Sequence, residues 1–258
     1  MNSITQIIVH FFLLSLAFGS QVFSPVVSTR LTGVGFYKLV TSIVLGSLVL
    51  ALGADYFMHP ALDSQSIICY SILILSNVIT LAFHRDQKSL VMWGLYIVQL
   101  STFLYFIFHL FLPTPTWIMF FFMSSLLLGI SNFAMLLGHY YLVVPKLSEE
   151  PLIYCLWIFW AILFIRITSS VTTILTTGAP FLEEETLLGD GYMYNWLFIS
   201  MRYMWGYAAP LILSLFTFKL CKLRSLQSAT GVLYIVEFFV IVGELVSVYL
   251  MAKHGLSL

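Results

Sequence analysis

The 258-residue chain is 60% hydrophobic and 17% aromatic but only 9% charged, with a mean hydropathy of +1.00. Soluble domains carry about 25% charged residues, so composition excludes one and indicates an all-α, polytopic membrane protein: a single integral membrane domain over residues 1–258, embedded in a lipid bilayer. A formal net charge of zero excludes a basic surface for nucleic acid.

A helix needs about 20 apolar residues to cross the hydrocarbon, and eight runs qualify, at about 4–27, 35–56, 65–83, 89–111, 116–144, 152–177, 192–220 and 229–251. The first has no Lys or Arg before it and stays apolar past Ala17-Phe18-Gly19-Ser20, so it reads as a retained helix and not a cleaved signal. Breaks fall at His59-Pro60, Pro113-Thr114-Pro115, Pro145 to Pro151, Gly178-Ala179-Pro180 and Gly189-Asp190-Gly191. The gaps are short, which predicts antiparallel neighbours. Arg30, Lys38, Arg85, Lys88, Lys146, Lys219, Lys222 and Arg224 fall on one side of this alternation and only Lys253 on the other, the side that also holds Asp55, Asp63, Glu183, Glu184, Glu185 and Asp190. Cytoplasmic loops collect Lys and Arg, so both termini are expected to be extracytoplasmic. Compact connectors and this asymmetry suggest a bacterial cytoplasmic (inner) membrane.

Four charged residues stand deep inside apolar runs, away from their ends: Arg166, Arg202, Glu237 and Glu244. Such groups are costly at bilayer depth unless neutral, paired or wet, and they mark ligand sites and proton paths. At 1.5 Å per residue, Arg166, Arg202 and Glu244 reach one level, about 20–25 Å from the cytoplasmic side, while Glu237 lies about two turns closer to it. The first three sum to about plus one, which suits an anionic or carbonyl-bearing ligand or a carboxylate from a neighbouring subunit. Glu237 is left as a lone carboxylate, either protonated or part of a proton path. Interhelical ion pairs that only fix packing are the alternative.

His10, Asn77, Gln99 and His109 are the polar candidates of the first four runs, and His10 and His109 could share one haem near the outer side. Only His139 lies within a run on the other side, with His84 in a gap, so a two-haem electron wire is disfavoured and no haem is expected. In the fifth run Gly129, Ser131, Ala134 and Gly138 would permit close helix approach, and His139-Tyr140-Tyr141 suits an interfacial aromatic belt or a bound ring. Cys69, Cys155 and Cys221 have no metal-binding spacing and read as core residues. There is no phosphate-binding glycine loop, HExxH or GxSxG, hence no self-contained catalytic motif and no metal site to expect. The first four runs hold no embedded Arg or Glu to mirror the last four, which argues against an inverted-repeat transporter.

In the eighth run, Gln227-Ser228-Ala229-Thr230-Gly231-Val232-Leu233-Tyr234 followed by Val242-Gly243-Glu244-Leu245 resembles the final helix of the polytopic, quinone-interacting anchor subunits of the polysulfide and DMSO reductase (NrfD-like) class. Eight helices with both termini outside is also that class's layout. The resemblance implies two four-helix bundles, a quinone-type site within a bundle, no haem, and an extracytoplasmic iron–sulfur partner subunit. The leading expectation is therefore a non-haem, quinone-interacting membrane subunit of a respiratory or redox complex that needs a partner for electron transfer. Its rivals are a proton-linked small-molecule transporter or channel built on Arg166, Arg202, Glu237 and Glu244, and a structural subunit of a larger assembly.

Overall fold

The computed structural model describes residues 3–27, 32–58, 63–83, 89–111, 114–144, 148–177 and 190–258. The regular elements among them are helical: α1 (Ser3–Phe23), α2 (Val34–Met58), α3 (Ser64–Phe83), α4 (Leu90–Phe111), α5 (Pro115–Val143), α6 (Glu150–Thr177), α7 (Asp190–Tyr203), α8 (Ala209–Lys222) and α9 (Leu226–His254). A π turn, Met204–Ala208, joins α7 to α8 into one span, so eight spans are long and apolar enough to cross a membrane. The chain thus has the form of an integral membrane protein. Arg30, Arg85, Lys88, Lys146, His84 and Glu183, Glu184 and Glu185 lie outside the described residues, as do Pro60, Pro113, Pro145, Gly178, Pro180 and Gly189.

Three boundaries differ from the sequence expectation. The first apolar run continues to residue 27, but α1 stops at Phe23, where Ser24 donates its amide to Gln21 O at 3.2 Å. Pro25 has no amide to continue the ladder and disfavours helix in its predecessor. Asp190 and Gly191, expected as a break, form the first turn of α7. Asp55, grouped with the outside gap, is only 6% exposed inside α2, because that helix runs on to Met58.

Helix α5 is the most enclosed span, packing against α1, α2, α4, α6 and α9. Its glycines set those distances. Gly129 crosses Gly19 of α1 so closely that a Cβ on either would overlap the other helix's backbone, and Gly138 accepts Thr230 of α9, whose hydroxyl donates to Gly138 O at 2.8 Å. Both crossings use a small residue to let backbones approach where lipid supplies no hydrophobic push. One apolar core joins the ends of α1 and α2 to α5, α6, α8 and α9, and a second joins α1 to α4 with the start of α5. Leu75, Ile97, Phe164 and Phe216 turn outward, as lipid-facing side chains do.

Candidate functional site

The structure brings Arg166 of α6, Arg202 of α7 and Glu244 of α9 into one buried cluster. Arg202 Nη2 donates to Glu244 Oε1 at 2.8 Å, and Arg166 Nη2 lies 3.5 Å from Glu244 Oε2. All three side chains are at most 1% exposed. Arg166 Nη2 is also 3.1 Å from Ser124 Oγ of α5, 3.1 Å from Ser247 Oγ of α9 and 3.0 Å from the main-chain oxygen of Leu258. Each guanidinium covers an aromatic ring, Arg166 that of Phe120 at 4.7 Å and Arg202 that of Tyr207 at 4.2 Å.

Local backbone chemistry puts Arg202 there. Pro210 has no amide hydrogen, and its ring crowds the carbonyl four residues earlier, that of Gly206. The span relieves this with the wider Met204–Ala208 turn, and wide turns of this kind recur at functional sites. The extra residue carries Tyr207 under the Arg202 guanidinium. It also sets Gly206 against Gly243 of α9, where an added Cβ on Gly206 would stand 3.1 Å from Gly243 Cα and 3.0 Å from Arg202 Nη1. Two facing glycines therefore provide the room through which Arg202 reaches Glu244.

Glu237 lies apart from this cluster, on the same buried face of α9 seven residues earlier. Ser131 of α5 is its polar neighbour, and its Oε2 is buried without a hydrogen-bond partner. The carboxylates are therefore unequal: Glu244 is paired twice, and Glu237 forms no ion pair among the described residues.

The polar candidates of the first spans form two further sets. His10 Nε2 is 2.7 Å from Tyr70 Oη and 3.9 Å from Asp55 Oδ2, joining α1, α3 and α2. Gln21 donates to Gln99 Oε1 at 2.6 Å, and Gln99 donates to Thr80 Oγ1 at 3.1 Å, joining α1, α4 and α3. Asn77 donates only to its own helix, at Leu73 O. His109 does not meet His10: its Nε2 is 3.0 Å from Asp63 and its ring stacks over Tyr105 at the helix end. His139 Nδ1 is 2.7 Å from Tyr234 Oη, on the exposed side of α5 and α9.

Beside the His10 set, a cavity of about 290 Å³ opens between α2 and α3, lined by Leu52 of α2 and by Ile67, Tyr70, Ser71, Ile74, Leu75 and Val78 of α3. Its walls are apolar apart from the hydroxyl-bearing Tyr70 and Ser71, and Ile67 and Leu75 are lipid-facing, so it is reached from the bilayer. Tyr70, Asp55, Gln21, Ser124, Ser247 and Leu258 are site residues that the sequence reading does not single out. Gln21 carried a signal, as an amide within an apolar run. Asp55 carried one as well, as an acid at the end of the 35–56 run, but it was grouped with the gap that follows; Tyr70, Ser124, Ser247 and Leu258 carried none, since such residues are ordinary in membrane helices.

No known family matches this chain, and neither a curated protein nor a solved structure does.

Proposed function

We propose that this chain is a non-haem, quinone-interacting subunit of a membrane redox assembly, of the general NrfD-like kind, which takes or gives electrons through a partner subunit. In this reading α1 to α4 form one four-helix bundle and α5 to α9 a second, both termini are extracytoplasmic, and the membrane is a bacterial cytoplasmic membrane. One observation carries it: a lipid-open, largely apolar groove whose inner wall, Tyr70, is hydrogen-bonded to His10, with Asp55 behind. A quinone dissolves in the bilayer, needs an apolar slot for its ring, and exchanges protons as well as electrons when its redox state changes. Tyr70, His10 and Asp55 make a line of proton-exchanging groups from that slot to the end of α2, and His is suited to such relays. Partner electrons are required because the line brings no redox centre of its own.

The test is photolabelling of the protein in lipid nanodiscs with an azido-quinone, mapped by mass spectrometry. Label concentrated on residues 67–78 of α3 and competed by unlabelled quinone supports the reading. Label spread evenly over the lipid-facing helices overturns it.

Glu237 favours a second reading, proton-linked transport. A buried carboxylate with an unpartnered oxygen, two turns from an ion-paired cluster on one helix face, is what a proton-loading site requires. Proteoliposomes holding the purified chain would then show solute flux driven by a proton gradient and lost in Glu237→Gln.

A further inference from the structure

Helices α5 and α9 meet along a polar seam with a seven-residue repeat on both sides. Gly138 faces Thr230, whose hydroxyl donates to Gly138 O at 2.8 Å, Ser131 is the polar neighbour of Glu237, and Ser124 is a polar neighbour of Glu244. The positions fall on α5 as they rise on α9, so the two helices run antiparallel in constant register, and the repeat keeps one face of each turned to the other. Small residues of α5 thus stand opposite polar residues of α9 at three levels. The middle level holds Glu237, whose Oε2 is buried without a hydrogen-bond partner.

The two directions out of that level are unequal. Toward His254, the buried face of α9 continues through Val240, in one apolar cluster with Leu127 and Leu128 of α5, to Glu244 with Arg166 and Arg202 paired to it, all at most 1% exposed. That way is about 26 Å of helix, whereas the way to Leu226 is about 17 Å. Side chains on a helix tilt toward its N-terminus, so the Glu237 carboxyl group covers the turn before it, that of Leu233 and Tyr234. Tyr234 is 44% exposed, and its Oη lies 2.7 Å from Nδ1 of the exposed His139, one turn before the end of α5. One helical turn, with Leu233 buried on it, therefore separates the unpartnered acid from a hydrogen-bonded pair of proton-exchanging groups at the surface.

Among the described residues, the elements packed on α9 bring no charge to Glu237. From α5 comes the Ser131 hydroxyl, while Tyr141 is bonded to Ser148 O. His10 of α1 is held by Tyr70. Arg202 and Tyr203 of α7 are held by Glu244 and Ser170, and Tyr207 of the π turn lies under Arg202. Lys219, Cys221 and Lys222 stand in the last turn of α8.

We infer that Glu237 exchanges its proton with the membrane face at the Leu226 end of α9, through Tyr234 and His139. The inference rests on Glu237 being a proton-loading group, and needs neither a transported solute nor a quinone. A proton taken up at His139 Nε2 frees the one on Nδ1 for Tyr234 Oη, whose own proton passes along the turn to Glu237; discharge follows the reverse order. Histidine suits this role because its ring carries a donor and an acceptor on separate edges. At the other end, a proton would have to enter a dry site that already holds two fixed guanidiniums, which is an electrostatic barrier to cations.

The experiment uses dicyclohexylcarbodiimide, a lipid-soluble reagent that couples to a carboxyl group still carrying its proton. The full chain is held in right-side-out and inverted membrane vesicles, the pH of the two faces is set separately, and modified Glu237 is quantified by mass spectrometry. A membrane-impermeant maleimide on Arg224→Cys identifies the face at the Leu226 end. Acidifying that face should raise Glu237 labelling severalfold, the same change on the opposite face should leave it unaltered, and ion-paired Glu244 should stay unlabelled. After a pH jump on the Leu226 face, the infrared carbonyl band of protonated Glu237, identified by its loss in Glu237→Gln, should appear severalfold more slowly in His139→Ala and in Tyr234→Phe. Free imidazole added to that face should restore the rate in His139→Ala, which a merely structural histidine would not allow. Labelling that follows the pH of the opposite face, or wild-type exchange rates in both variants, overturns the route while leaving Glu237 a proton-loading group. A Glu237 that reacts at no pH overturns that underlying reading, and the route with it.

Discussion

Arg202 and Glu244 meet at 2.8 Å because two glycines, Gly206 and Gly243, cross one residue from the carboxylate. Neither charge touches water, and Glu244 is the one carboxylate shared by both arginines. Removing a single partner of a buried pair costs about 3–5 kcal/mol, since the other charge is left uncompensated. Glu244→Gln should therefore destabilise more than Arg202→Gln, because it strands two cations. The double substitution should recover part of the loss. Unfolding of the three variants in mixed micelles checks this, and a Glu244→Gln protein as stable as wild type would show the pair to be energetically idle.

Packing of α1 on α5 depends on Gly19 and Gly129, each of which has no space for a Cβ against the facing backbone. Because backbone cannot rotate away as a side chain can, Gly129→Ala should cost at the upper end of the roughly 1–3 kcal/mol typical of overpacking. Gly46, with nothing within 4 Å of an added Cβ, is the control, and Gly46→Ala should be neutral or mildly stabilising by helix propensity. Equal behaviour of the two alanines would refute the close crossing.

Tyr70→Phe keeps the groove's shape and deletes the hydroxyl that His10 engages. His10 Nε2 then loses a 2.7 Å partner within a nearly dry site, at a cost of about 1–3 kcal/mol. The quinone reading requires more: proton-coupled turnover with the native partner should fall at least tenfold in Tyr70→Phe while ring binding changes little. Full retention of turnover would place the proton route elsewhere.

Glu149, before α6, offers a pH dependence outside the membrane. Its own backbone amide holds its carboxyl below the usual 4.5, burial opposes this, and Arg224, 3.2 Å away, assists. A carboxyl depressed in the folded state contributes stability above its unfolded value, and that contribution is lost as pH falls through the folded one. The loss should thus appear on the acid side of about pH 4.5, be small because both groups meet water, and vanish in Glu149→Gln. Acid titration of Tm in the two proteins checks it.

The spans and the Arg166, Arg202 and Glu244 grouping were legible because an ionisable residue alone in an apolar run stands out, and a fixed rise per residue converts its position into depth. Gly129 and Gly138 were legible as small residues, though which helix each would meet was not. Pro210 was the visible cause of the π turn, yet a proline inside a span is equally compatible with a kink, and the register shift that brings Tyr207 beneath Arg202 depends on relief of one carbonyl clash. The Tyr70 and Asp55 partners of His10 were hidden, since pairing across three helices depends on their rotation about their own axes. That rotation is poorly marked where both faces are apolar.

Topology can be tested at the two ends of α9. Cys69, Cys155 and Cys221 are buried, so the native thiols should react slowly and provide a quiet background for cysteine placement. Lys222 and Arg224 precede α9, while Lys253 follows the last membrane-depth turn. Basic residues cluster before the helix, so that end is expected in the cytoplasm. Arg224 is the better reporter, being exposed and in the left-handed region with φ of 55°, although its loss also frees Glu149. In intact cells, a membrane-impermeant maleimide should label Lys253→Cys and spare Arg224→Cys, which should react only after the membrane is permeabilised. The reverse pattern would invert the orientation and move the His10 and Arg166 sites to the opposite halves of the membrane. Labelling of both in intact cells would mean that α9 does not span.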